Sequence, residues 1–163
     1  MENAPRATKG GRHKARCSAV QALYQWQITR QPPGEIESHF LADNKLDDVD
    51  LEYFRHLVRE IPLHREALDD RLSPHVDRSI MEIDPVERAI LRLGAFELEF
   101  HPEIPYRVIL NEAVELAKIY GAEHGHKYVN AVLDRVALTL RSDEAGDSNE
   151  PRQRSASPSP NEG

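Results

Sequence analysis

The chain has 163 residues, a length that suits one domain with flexible ends. Its 28 acidic residues outnumber 21 Lys and Arg for a net charge of −7, which argues against a generic polyanion binder. One cysteine, Cys17, excludes an intrachain disulfide, and no stretch reads as a signal peptide or a membrane span; these features lead us to expect a soluble cytoplasmic protein.

In chain order, residues 1–11 combine Pro, Gly and charge without apolar periodicity and read as a flexible basic arm. The positive charges Arg6, Lys9, Arg12, Lys14 and Arg16 precede an acidic run from Glu35 to Glu52. That asymmetry fits either a nucleic-acid-binding arm or a merely solvated terminus. Residues 12–29 place Ala19, Leu23 and Trp26 on one face, the spacing of an amphipathic helix. Pro32, Pro33 and Gly34 break it. A short helix over 35–42 turns Ile36, Phe40 and Leu41 inward. Another over 48–61 carries Leu51, Phe54, Leu57, Val58 and Ile61, with Asp47 or Asp48 as its cap. Pro62 kinks or ends that helix, and a further turn or two follows over 63–72.

Asp84-Pro85-Val86-Glu87 is a helix start with an N-cap, a proline at the first helical position and a capping-box glutamate. The helix extends to about residue 101, with Val86, Ala89, Ile90, Leu93 and Phe96 inside and Gly94 suited to close packing. The next spans 106–120, ending at Gly121 as a left-handed cap. The last begins at 122 or 126 and reaches 140, burying Val129, Val132, Leu133, Val136 and Leu140. Residues 142–163, rich in Ser and Pro, read as a disordered tail. The fold class is all-α: a bundle of six to seven helices over 12–141.

Catalytic and metal constellations are weak. His124 and His126 point apart on a helix and have no further ligands to complete a metal cage. Cys17 with His13 lacks a group to orient the histidine. Glu112 and Glu115 read as a solvated face, and Lys9-Gly10-Gly11 lacks the phosphate-loop motif. No enzyme activity, metal or cofactor is expected. A cationic start to the first helix, and Lys127-Tyr128 opening the last, suit phosphate contact and base stacking instead. Tyr128 reads equally as core. Asn130 and Glu112 suit either RNA contact or buried hydrogen bonds that orient the hairpin, with the structural role favoured.

The segments ARCSAVQALYQWQ, DVDLEYFRHLV, VERAILRLGAFEL, IPYRVILNEAVELAKIYG and HKYVNAVLDR resemble the NusB transcription antitermination family, over about residues 12–141. The resemblance implies an all-α protein that binds single-stranded boxA RNA of nascent transcripts, notably from rRNA operons. It implies ribosomal protein NusE as partner, docked near the connection into the helix at Asp84, within an RNA polymerase antitermination complex and away from membranes. It places RNA contacts at Arg12, Lys14, Arg16, Glu87, Tyr106, Lys127 and Tyr128. Two departures stand out. His13 interrupts a cluster that is usually consecutive arginines, and His124 stands where relatives often carry an acidic residue. Rival readings are an RNA-binding module like that fused to rRNA methyltransferases, and a helical protein-interaction adaptor without RNA contact.

Overall fold

The computed structural model describes residues 10–43 and 46–144. Seven α-helices form there: α1 (Gly11–Thr29), α2 (Pro33–Asp43), α3 (Leu51–Leu63), α4 (Arg65–Leu72), α5 (Pro85–Phe100), α6 (Tyr106–Tyr120) and α7 (Gly125–Leu140). Two single 3-10 turns, Ser73–His75 and Ile80–Glu82, lie between α4 and α5. No strand forms among the described residues. The expected arm is outside them except for its last two residues: Gly10 precedes α1 in a left-handed conformation and Gly11 opens it. The tail from residue 145 onward also lies outside them.

Helix α5 is the axis of the bundle. It packs against α1, α3, α4, α6 and α7, and every residue from Arg88 to Leu98 is buried. An inner stripe alone was expected there. A helix wrapped on all sides needs an apolar surface all round, and ILRLGAFEL supplies most of it. The polar exceptions, Arg88, Arg92 and Glu97, are held by carbonyl or charged partners. Gly94 lets α7 close in: a Cβ there would overlap the Leu133 side chain. Asp84 caps α5 through Oδ2, accepting from the backbone N–H groups of Val86 at 3.1 Å and Glu87 at 3.2 Å.

Several local expectations shift. Asp50, not Asp47 or Asp48, caps α3, accepting from Tyr53 N–H at 3.1 Å, so Leu51 begins the helix and stays exposed. Pro62 sits inside the last turn of α3, and the chain breaks two residues later at His64 before resuming as α4. Gly121 is extended, at φ −87 and ψ 176; the left-handed residue is His124, at φ 71, immediately before α7. The described part of the expected tail is not loose. Residues 142–144 are helical, and Glu144 accepts from the Tyr106 N–H at 2.9 Å and from Arg141 at 2.8 Å. Arg141 also donates to four carbonyls, those of Glu97, Leu98, His101 and Ile104. This buried guanidinium fastens the end of α7 to the α5–α6 connection and so extends the ordered fold beyond residue 141.

Candidate nucleic-acid interface

The residues selected from the sequence divide between the two ends of α5. Arg12, Lys14, Arg16 and Tyr106 gather around its C-terminal end, and Glu87, Lys127 and Tyr128 around its N-terminal end. Glu87 and Glu97 are ten residues apart, about 15 Å along the axis at 1.5 Å per residue.

At the C-terminal end the basic run is sorted by helical geometry. Arg12 and Lys14 leave α1 on its exposed side, their side chains 48% and 50% accessible. The Arg12 guanidinium lies 3.8 Å from the Tyr53 ring centroid, and its Nε is 3.6 Å from Asp50. Lys14 Nζ is 3.7 Å from Asp48. Asp50 N–H also donates to the Gly11 carbonyl at 3.1 Å, so the segment before α3 is held against the first turn of α1. Such half-exposed pairs contribute about 0–1 kcal/mol and yield readily to a phosphate.

Arg16 is different, and its expected role as an RNA contact meets a physical obstacle. Its side chain is only 5% accessible, and Nε donates to Glu97 at 2.8 Å with Glu112 at 3.6 Å from Nη1. The Tyr53 hydroxyl donates to the same Glu97 carboxylate. Burial and this carboxylate push the Tyr53 phenol far above its ordinary value, so the ring remains neutral. Arg16 therefore ties α1 to α5 and α6, and Glu112 joins α6 to α1 and not to its hairpin partner α7. His13 joins it, its Nδ1 2.9 Å from Glu112 Oε1, and its Nε2 lies 3.6 Å from Cys17 Sγ. Burial raises the Cys17 thiol, which opposes a nucleophilic role. Tyr106 is likewise buried and offers no stacking face. Asn130, in contrast, is exposed beside Asn111 and Asp134, not buried in a hairpin hydrogen bond.

At the N-terminal end, α7 starts against α5. Glu87 packs onto Gly125, with Oε2 occupying the space a Cβ would need. Burial, then the nearby Asp84, raises the Glu87 carboxyl. Lys127 is exposed, with no ion-pair partner among the described residues. Tyr128 is half-buried: its ring packs on the core while its hydroxyl lies 3.4 Å from Asp77 Oδ1. Arg78 Cζ is 5.4 Å from the ring centroid, and Arg78 Nε donates to Asp77 at 2.8 Å. Burial and Asp77 raise the phenol, which keeps it a neutral hydrogen-bond donor. Arg135 braces the loop by donating to the His75 carbonyl at 2.9 Å. The surface thus offers an exposed cation, Lys127, and a half-buried ring with a second cation, Arg78, over it. The sequence reading missed Arg78 and Asp77, because a loop 50 residues before Tyr128 carries no periodic signal. Tyr53 was missed as a platform because its spacing looks like any core position.

No group of three or more His, Cys, Asp or Glu residues suited to hold a metal occurs among the described residues, and no described helix is long and apolar enough to cross a membrane.

Comparison with known proteins converges on one family. The model of the NusB family matches residues 13–138. The chain is 53% identical to the transcription antitermination protein NusB of Nitrosococcus oceani, over 82% of this chain and 89% of the relative. It is 50% identical to the Pasteurella multocida protein of the same name, over 79% of this chain and 90% of that one. A T. maritima NusB structure superposes with a TM-score of 0.73 at 30% identity, covering 90% of this chain and 99% of the other. NusB in a crystal structure of antitermination factors NusB and NusE in complex with dsRNA gives 0.69 at 32% identity, covering 78% and 96%. The chain belongs to the NusB family of transcription antitermination proteins.

Proposed function

We propose that the protein binds boxA RNA of nascent transcripts, notably those of rRNA operons, together with ribosomal protein NusE, and so acts in an RNA polymerase antitermination complex. The observation that carries this reading is the start of α7, where Lys127 is exposed with no ion-pair partner among the described residues and the half-buried Tyr128 ring lies under Arg78, beside the Glu87–Gly125 contact of α5 and α7. Arg12 and Lys14 add replaceable positive charge at the other end of α5. A similar structure, of antitermination factors NusB and NusE in complex with dsRNA, supports NusE and RNA as partner classes.

Single-stranded RNA suits this surface best. Unpaired bases can stack on Tyr128, and side chains can read their exposed edges. The acidic total charge limits indiscriminate binding, and a second protein supplies additional RNA-contacting surface. A gel-shift series tests the proposal with boxA RNA, a scrambled single strand and a boxA duplex, each with and without NusE. Preference for single-stranded boxA, strengthened by NusE, is expected. Equal weak binding to boxA and scrambled RNA in the presence of NusE would instead favour a protein-interaction adaptor.

A further inference from the structure

A cleft of about 270 Å³ opens between the end of α1, the start of α4 and the outer side of α5, lined by Trp26, Gln27, Arg30, Arg65, Met81, Arg88 and Arg92. Four of these seven residues are arginines. Among the described residues, one carboxylate, Asp69, lies within ion-pair distance of any of the four guanidiniums.

Arg92 is paired through all three of its nitrogens. Nε and Nη2 each donate to Asp69 at 2.9 Å, and Nη1 donates to Gln27 Oε1 at 3.0 Å. Arg88, also buried at 5% exposure, has no carboxylate against it. Its Nη1 donates to the Met81 and Ile83 carbonyls at 3.1 and 3.2 Å, and its Nε is buried without a partner. Burial, then repulsion from Arg92, lowers its pKa. Buried cations ordinarily sit against a countercharge, and Arg88 has no ion-pair partner among the described residues. At the mouth, Arg30 is exposed in a left-handed conformation at φ 63, and Arg65 is exposed at the start of α4. Neither has an ion-pair partner among the described residues.

We propose that this cleft is an anion site that takes the phosphate group of a nucleotide, free or within an RNA strand. Guanidiniums present paired donors that match phosphate oxygens. Trp26 supplies an aromatic wall, and the volume is close to the lower end of small-molecule sites at about 300 Å³, enough for a phosphate with part of its nucleoside. The cleft shares no lining residue with the Lys127–Tyr128 surface, which lies on the α7-facing side of α5.

The test follows the Arg88 Nε–H resonance of the full chain by NMR during titration with inorganic phosphate and with adenosine monophosphate, chloride holding ionic strength constant. Saturable movement with both is expected, tighter for the nucleotide. Arg30→Gln with Arg65→Gln, both surface changes, should weaken it roughly tenfold by removing two charge-assisted contacts. A single-stranded RNA that displaces the monophosphate from Arg88 assigns the phosphate to RNA; one that does not assigns it to free nucleotide. An Arg88 signal that stays still, or moves equally in the double variant, overturns the proposal. Tyr128→Ala should leave this titration unchanged, which separates failure of this site from failure of RNA binding at α7.

Discussion

The two ends of α5 show how differently the same charged residues can be used. At its C-terminal end, three cations spaced two residues apart on α1 have three fates: Arg12 stacks on Tyr53, Lys14 faces solvent and Arg16 is drawn into the interior by Glu97. At its N-terminal end, Lys127 and Arg78 come from distant segments and remain on the surface around Tyr128. A basic run counts charges, whereas helical phase and buried carboxylates decide which of them can reach a ligand.

Removing Arg16 sharpens this contrast most. Arg16→Met should cost about 3–5 kcal/mol of stability, because it leaves the Glu97 carboxylate buried without its cation. The loss is measured by urea unfolding. A variant that unfolds like the parent but binds RNA less tightly would return Arg16 to the interface.

Arg12→Ala and Lys14→Ala should leave stability nearly unchanged, their ion pairs being half-exposed. If both contact phosphate, each substitution reduces the slope of log affinity against log salt by about 0.7, the single-strand value per contact. Anisotropy titrations at several salt concentrations measure it. An unchanged slope would confine RNA binding to the α7 end.

The histidines give smaller effects. His56 Nε2 lies 2.8 Å from His101 Nε2, whose ring also meets Glu103 at 2.7 Å. Burial first, then His101 and Arg12, lower the His56 pKa from its ordinary 6.5, with Glu60 and Glu97 opposing. The unfolded chain then binds this proton more readily than the native one. Stability is therefore full above 6.5 and declines as pH falls through the lower native value. His56→Gln should flatten that decline, seen as thermal midpoints that converge between about pH 7.5 and pH 5.5. At the α7 turn, His124→Asp keeps a residue type that tolerates the left-handed conformation but places a carboxylate near the RNA surface. A modest loss of affinity at low salt is expected; an unchanged dissociation constant would remove His124 from the electrostatic environment of the site.

Much of this architecture was legible because local chemistry and packing agree. Asp84-Pro85 specifies a helix start, and the apolar periodicities of α1, α6 and α7 match their buried faces except at Trp26, Tyr120 and Leu140, which are half-buried. Boundaries that depend on tertiary contact were less legible. Gly121 looked like the left-handed cap, yet the turn closes through Gly125 N–H to the Ala122 carbonyl at 2.9 Å, which puts His124 in that conformation instead. Glu144 looked like tail because its partners, Tyr106 and Arg141, lie on other elements or at the end of α7. In the candidate site, Lys127 and Tyr128 were visible as a cation beside a ring. Arg78 was not, since its loop meets α7 only in the folded chain. The burial of Arg16 and Tyr106 was not visible in the sequence, because it depends on tertiary packing.

The most direct measurement is the dissociation constant of labelled boxA RNA with NusE present, for the parent and for Tyr128→Ala shown to be folded by circular dichroism. Loss of one stacked base, about 1–3 kcal/mol, should raise the constant by roughly 5- to 150-fold. A folded variant that binds boxA as tightly as the parent would contradict the assignment of the α7 surface to RNA.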